Sequence, residues 1–150
     1  MKVVTVKDMQ TGPGPEDWFT GTVWRDAAPV GASPDVAVNR VLFEPGARTH
    51  WHTHPEGQIL YIITGTCRAA REGEPPVEVE AGGVVYFAPD EKHWHGATSD
   101  TYMVHMAINV ATTTDGGTDW LEPVTDQEYA GEKLARCCPR AAGRSHRWRR

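Results

Sequence analysis

Five of the seven histidines fall in two short stretches, His50-Trp51-His52-Thr53-His54 and His93-Trp94-His95. In an extended strand, residues two apart point to the same side and stand about 6.6 Å apart. Two imidazoles at that separation can lean towards one ion and reach the roughly 2.0–2.2 Å metal–nitrogen distance. Pro55-Glu56-Gly57 then turns the chain, so that Gln58 can offer a side-chain oxygen to the same point. His50 and His54 would lie about 13 Å apart along a strand, too far for all three histidines to share an ion. The pair beside the turn, His52 and His54, is the better choice. A further ligand should come from the second stretch, where spacing alone leaves His93 and His95 open. A lone buried histidine is more often a hydrogen-bonded core residue than a ligand. H-x-H-x3-Q together with a distant second H-x-H is a clustering of ligand types that points to a divalent metal.

Strands must position such residues. Gly 15 and Pro 11 in 150 residues favour many short strands joined by turns. Strand-forming runs appear at Gly21–Arg25, Val36–Phe43, Ile59–Arg71, Val77–Glu80, Val84–Phe87 and Tyr102–Val110. Turn signals separate them, among them Glu44-Pro45-Gly46, Ala81-Gly82-Gly83 and Asp90-Glu91-Lys92. Helical periodicity is scarce. The one helix expected begins at Thr125, which has capping-box spacing to Glu128. The pattern predicts an all-β barrel or sandwich in a single domain over 1–131, followed by a basic, disordered tail at 132–150.

Charge divides along the same line. The net charge is −5, yet residues 132–150 carry seven basic groups against Glu132 alone. The preceding residues, with eight basic and nineteen acidic groups, do not suit a nucleic-acid surface. No run of 18 apolar residues suggests a membrane span, and no secretory signal stands at the N-terminus. Cys67, Cys137 and Cys138 form no disulfide framework, which fits a reducing cytoplasm. Cys67 reads as a small core residue. Trp51 and Trp94 alternate with the metal candidates and should pack on the outer side, and Arg48 reads as a structural partner for Glu44.

The residue string Gly46, His52, His54, Gln58 and Gly65 resembles the first motif of the cupin family, G-x5-H-x-H-x3,4-E-x6-G, with Gln58 at the usual Glu. The second motif, G-x5-P-x-G-x2-H-x3-N, is matched by Gly82 and His93, with Ala88, Asp90 and Ala97 replacing Pro, Gly and Asn. A narrower resemblance runs from about Gly14 to Tyr129. Asp17-Trp-Phe-Thr-Gly21, Phe43-Glu-Pro-Gly-Ala-Arg-Thr49, Trp51-His-Thr-His-Pro55, Lys92-His-Trp-His-Gly96, Asp119-Trp120 and Val124-Thr-Asp126 are similar to small bacterial cupins that act as manganese-dependent hydroxynitrile lyases. That resemblance implies a double-stranded β-helix, or jelly roll, and a Mn2+ site of His52, His54, Gln58 and His93. Fe2+, Zn2+ or Ni2+ are alternatives. It also implies His95 and His105 as catalytic groups around a small-molecule substrate. No residue is assigned to an organic cofactor. His50 departs from the pattern, where a smaller residue is expected.

Four neutral donors leave an ion its full charge, which favours Lewis-acid work over oxidation of the metal. The expected activity is therefore cleavage or formation of a cyanohydrin, mandelonitrile giving benzaldehyde and cyanide. The rival readings are an oxygenase or decarboxylase acting on a small aromatic or oxo acid, and a non-catalytic ligand-binding cupin. A small barrel with sheet edges and outer faces to cover is expected to form a homodimer.

Overall fold

The computed structural model describes residues 1, 3–27, 36–110 and 117–132. The basic tail beyond Glu132, with Cys137, Cys138 and His146, lies outside the described residues. The strands are β1 (Gln10–Pro13), β2 (Phe19–Thr20), β3 (Val23–Ala27), β4 (Val36–Phe43), β5 (Arg48–Thr49) and β6 (His52–Thr53). They continue as β7 (Gln58–Arg71), β8 (Val77–Glu80), β9 (Val84–Phe87), β10 (His93–Ala97), β11 (Met103–Val110) and β12 (Asp119–Trp120). A 3-10 turn, Val6–Asp8, precedes β1, and one helix, α1 (Asp126–Ala130), follows β12.

All the pairings are antiparallel, and the strands run in the order β1-β3-β4-β11-β7-β10-β5-β2, with β8 and β9 paired to β7 and β6 joining β10 to β12. The fourteen residues of β7 join the two halves. Gln58 to Gly65 pair with β11, whereas Cys67 to Arg71 pair with β10. The register slips between Val104 and His105, where β7 spends the extra residue Ile63. That bulge switches the inward set on β7 from even numbers (Gln58, Leu60, Ile62) to odd (Cys67, Ala69). Without it, the second half would turn its apolar residues to water.

Expected and observed runs coincide for β4, β8 and β9 and differ by one residue at the start of β7 and β11. The strand expected at Gly21–Arg25 begins two residues later, because Gly21 has φ 83° and lies against Ala47. β6 and β10 hold the two histidine stretches that the spacing argument takes as extended, whereas β1, β2, β5 and β12 were not expected; three of these four are only two residues long and carry no readable alternation.

Phe43, Leu60, Ile62, Cys67, Ala97 and Met103 are fully buried in the main core, where each large apolar side chain contributes about 1.5–3 kcal/mol. A second cluster lies on the other side of β10. There Trp51, Ala70, Trp94 and Val124 pack with Tyr129, so both tryptophans face away from the histidines as alternation requires. Thr125 caps α1, accepting from the Glu128 amide, and Gly131 ends it at φ 77°. Arg48 ties this helix to the barrel. Its guanidinium donates to the Val124 carbonyl at 2.9 Å, pairs with Asp126 at 2.7 Å and lies over Tyr129. The Glu44 partner expected from sequence is replaced by Asp126, because Glu44 accepts from Trp24 instead. Cys67 is fully buried, and burial pushes its thiol up to about 12, so it is a core residue and not a nucleophile.

Gly65 sits where β7 passes between its partners, at φ 74°, with the Tyr102 carbonyl oxygen 1.9 Å from where a Cβ would be. Gly46 has φ 77° but open space around it. Gly65→Ala is therefore expected to cost about 3 kcal/mol or more, strain and backbone clash together, and Gly46→Ala about 1–2 kcal/mol from strain alone. Denaturant unfolding of the two variants measures the difference.

Candidate metal centre

β10 places the second histidine stretch directly against the first. His93 stands opposite His52 in the antiparallel register, so both side chains rise from the same face. Their ring centroids are 4.2 Å apart, with His54 5.2 Å from His52 and 5.7 Å from His93. Gln58 enters from the start of β7, and its Oε1 lies 3.1 Å from His93 Nε2. His95, two residues on along β10, shares the inner face. One ring nitrogen from each of His52, His93 and His95 lies within 4.8 Å of the other two. His105 comes from β11, its ring 4.9 Å from that of His95 and edging Phe43. The two stretches and Gln58 thus meet as the spacing requires.

His50 does not join them. The strand breaks at His50-Trp51, where the His50 amide donates to the Trp18 carbonyl and the Trp51 amide to that of Glu122. The break ends the alternation that would have put residues 50, 52 and 54 on one face. The His50 ring is not part of the cavity lining. Its carbonyl accepts from His52 Nδ1 at 2.9 Å, so His50 serves the centre through its backbone.

That hydrogen bond belongs to a pattern. His93 Nδ1 donates to the Glu91 carbonyl at 2.7 Å, and Thr118 Oγ1 lies 3.3 Å from His54 Nδ1. Each of these rings commits Nδ1–H to the protein, leaving the Nε2 lone pair as its outward donor. His54 Nε2 is buried and has no partner. His93 Nε2 and Gln58 Oε1 then face each other as two acceptors with no hydrogen between them, an arrangement that a shared cation satisfies. His95 differs, for its Nδ1 is buried without a partner, as are both nitrogens of His105. These residues fit a divalent ion by donor chemistry and by the orphaned atoms aimed at one point.

The cavity beside this centre has a volume of about 410 Å³. An aromatic wall of Phe19, Trp18 and Trp120 closes one side, Trp18 stacking on Trp120 at 5.1 Å and Trp120 lying 4.8 Å from His52. Arg25, Asn39, Val41 and Asn109 supply more of the lining. Trp18, Phe19 and Trp120 entered the sequence reading only as parts of similar segments, and the others were not singled out; inward position on β3, β4 and β11 is the signal that would have found Arg25, Asn39 and Asn109. Asp90 occupies the second motif's glycine position and has φ 58°, a conformation Asp tolerates better than most residues.

A cupin-domain family model matches residues 39–109, and the barrel, the double histidine motif and the long bulged strand all agree with it: the chain belongs to the cupin family. It is similar to an (R)-mandelonitrile lyase of Granulicella tundricola, 50% identical over 133 residues that make up 86% of this chain and 98% of that one. Among solved structures, a cupin-like protein of Thermotoga maritima is 40% identical and superposes with a TM-score of 0.73, covering 81% of this chain and 94% of that one. A predicted oxalate decarboxylase of the same organism has a TM-score of 0.62 at 21% identity over 71% of this chain and 96% of that one, a likeness of fold alone.

Burial holds all these imidazoles below their ordinary 6.5: His54 to about 4, His93 and His105 to about 3, and His52 and His95 well below. Unfolded, each takes up a proton near pH 6.5; folded, it resists until the pH is far lower. The unfolded chain therefore binds more protons across that window, and stability falls as the pH drops from 6.5 towards 4. Thermal melts of metal-free protein should show a midpoint that is level above pH 6.5 and declines steadily below it. A midpoint unchanged from pH 7 to 4.5 would contradict the buried, neutral assignment.

Proposed function

We propose that the protein is a metal-dependent lyase that cleaves or forms cyanohydrins, with manganese held by His52, His54, Gln58 and His93. The observation that carries this reading is the donor set. Three imidazoles, each held through Nδ1, and one carboxamide oxygen offer uncharged lone pairs around one inner corner of the barrel. Support for the reaction comes from the 50% identical relative named as an (R)-mandelonitrile lyase. The ring nitrogens that cluster most tightly are those of His52, His93 and His95, so His95 is close enough to be a ligand itself, but its Nδ1 lacks an anchor of the kind the other three have. We therefore assign it to the substrate side.

A divalent ion in this neutral set keeps its full charge and supplies Lewis acidity towards a hydroxyl or carbonyl oxygen. The side chains supply the rest. His95, kept neutral by burial, accepts the hydroxyl proton. The carbon–cyanide bond breaks with its electron pair on cyanide, and the oxygen's electrons close the carbonyl. The imidazolium so formed is a strong acid in this setting and returns its proton to cyanide, which leaves as hydrogen cyanide. His105, packed behind His95, holds that ring in place and provides a second neutral acceptor. The aromatic wall of Trp18, Phe19 and Trp120 takes the substrate's ring and excludes water.

Elemental analysis combined with a benzaldehyde-release assay tests this reading. Purified protein should contain manganese, release benzaldehyde from mandelonitrile, lose that activity on chelation and regain it with Mn2+. His54→Ala should empty the site. His95→Asn should keep its metal and lose about 10²–10⁴ in rate. Metal retained in His54→Ala and lost in His95→Asn would transfer the ligand role to His52, His93 and His95. Iron content with oxygen uptake and no benzaldehyde would move the protein to the oxygenase reading.

The homodimer expected from sequence has a candidate surface on the outer face of the first sheet. Tyr86, Ile59, Ile108 and Val38 form one cross-strand row over β9, β7, β11 and β4, and Val84, Tyr61 and Met106 form the next. Ile59, Tyr61, Val84 and Tyr86 are exposed, a contiguous apolar face of the sort that marks association. We propose that a second copy packs there, row on like row about a two-fold axis. Light scattering should give the mass of two chains for the native protein and one for Tyr61→Glu.

A further inference from the structure

Arg25 is the unexplained group of the cavity. It lies on β3 opposite Val41, and Val41 lies opposite His105, so the three form one inward row across β3, β4 and β11. Adjacent strands are about 4.8 Å apart, which puts the Arg25 backbone about 10 Å from that of His105. Its guanidinium lies over Trp18, 5.0 Å from the ring centroid, and Trp18 in turn stacks on Trp120 beside His52. The cation is thus held on a rigid aromatic ledge that leads to the histidine centre.

Among the described residues, Arg40, Arg48, Arg68 and Arg71 all reach carboxylates. Arg25 reaches none. Burial lowers its affinity for its proton, with no acidic neighbour acting in the opposite sense. Among the described residues, the cavity lining contains no Asp or Glu, although the chain is net acidic. A partly desolvated guanidinium in a carboxylate-free cavity is an uncompensated charge, and such a charge is costly unless something anionic shares the space. Asn39 lines the same region, and the buried Oδ1 of Asn109 has no partner, so polar capacity beyond Arg25 is also unspent.

We propose that Arg25 binds a carboxylate carried by the physiological substrate, at the end remote from the reacting carbon. The substrate class is then an aromatic or similarly compact aldehyde, or its cyanohydrin, bearing one carboxylate. A planar guanidinium engages a carboxylate through two parallel N–H···O bonds, which fixes orientation as well as charge. The proposal rests on the lyase reading for the reacting end and on Arg25 alone for the anionic end.

Equilibrium binding separates the two. Para-(hydroxymethyl)benzoate and benzyl alcohol share ring and hydroxyl and differ by the carboxylate, and neither turns over. Calorimetry, with quenching of the tryptophan fluorescence as a second readout, should show the native protein preferring the carboxylate by about tenfold or more. Arg25→Gln should erase that preference and leave benzyl alcohol binding unchanged, and Arg25→Lys should retain part of it. The preference should persist in metal-free protein. No preference in the native protein overturns the proposal. So does a preference that survives in Arg25→Gln but disappears on metal removal, since the carboxylate would then be held at the histidine centre. Failure to cleave mandelonitrile would sink the lyase reading and leave this binding difference standing.

Discussion

Three imidazoles held through Nδ1 have only one lone pair each left to aim, and the anchor decides where it goes. This is the constraint on which the site depends. The anchors are the carbonyl two residues back for His52 and for His93, and the Thr118 hydroxyl for His54. The first two are local consequences of strand entry and need no distant partner. The third comes from a side chain just before β12, so His54 is the one ring whose orientation is not secured by its own strand.

Bringing uncharged donors together in a buried place has a cost, since each nitrogen forgoes water. The fold limits it by surrounding the centre with groups that need no hydrogen bonds. Phe87 stacks on His93 with centroids 3.7 Å apart, and Phe43 packs against His95 and His105. Among the described residues, all but one of the buried side-chain atoms left unsatisfied lie on the inner surface: His54 Nε2, His95 Nδ1, both nitrogens of His105 and Asn109 Oδ1, the exception being Trp51 Nε1 in the second cluster. Buried polar atoms are nearly always paired in native proteins, so their concentration in one cavity signals that ligands complete the structure.

Much of this was legible in the residues themselves. The strand-forming runs of β4, β7 and β11, set between turn signals, gave the barrel walls, the two H-x-H runs gave the centre, and Thr125 with Glu128 gave the helix. The short strands were not legible because two residues cannot display a period. Their existence follows from pairing with β10 and from Trp120 standing opposite His52. Parity misled at His50 for a related reason: alternation holds only while the strand is unbroken, and there the His50 and Trp51 amides donate to the Trp18 and Glu122 carbonyls instead. His93 and His95 were inseparable by spacing, since both face inward. They are distinguished by something no one-dimensional pattern records, the Nδ1 partner that one has and the other lacks.

Electrostatics links the two ends of the cavity. A neutral donor set would pass the whole charge of a bound ion to the substrate, and no carboxylate among the described lining residues offsets Arg25. With an ion held, the interior would be positive at both ends inside a chain of net charge −5. With Glu in place of Gln58, one unit of that charge would be cancelled at the centre and the field along the cavity would weaken. The same amide that favours Lewis-acid chemistry thus also favours an anionic occupant. Trp18 and Trp120, uncharged and polarisable, bridge the two positive regions without screening either. A substrate with a hydroxyl at one end, a ring in the middle and a carboxylate at the other would meet a complementary surface at each position, from residues contributed by β2, β3, β6, β10 and β12.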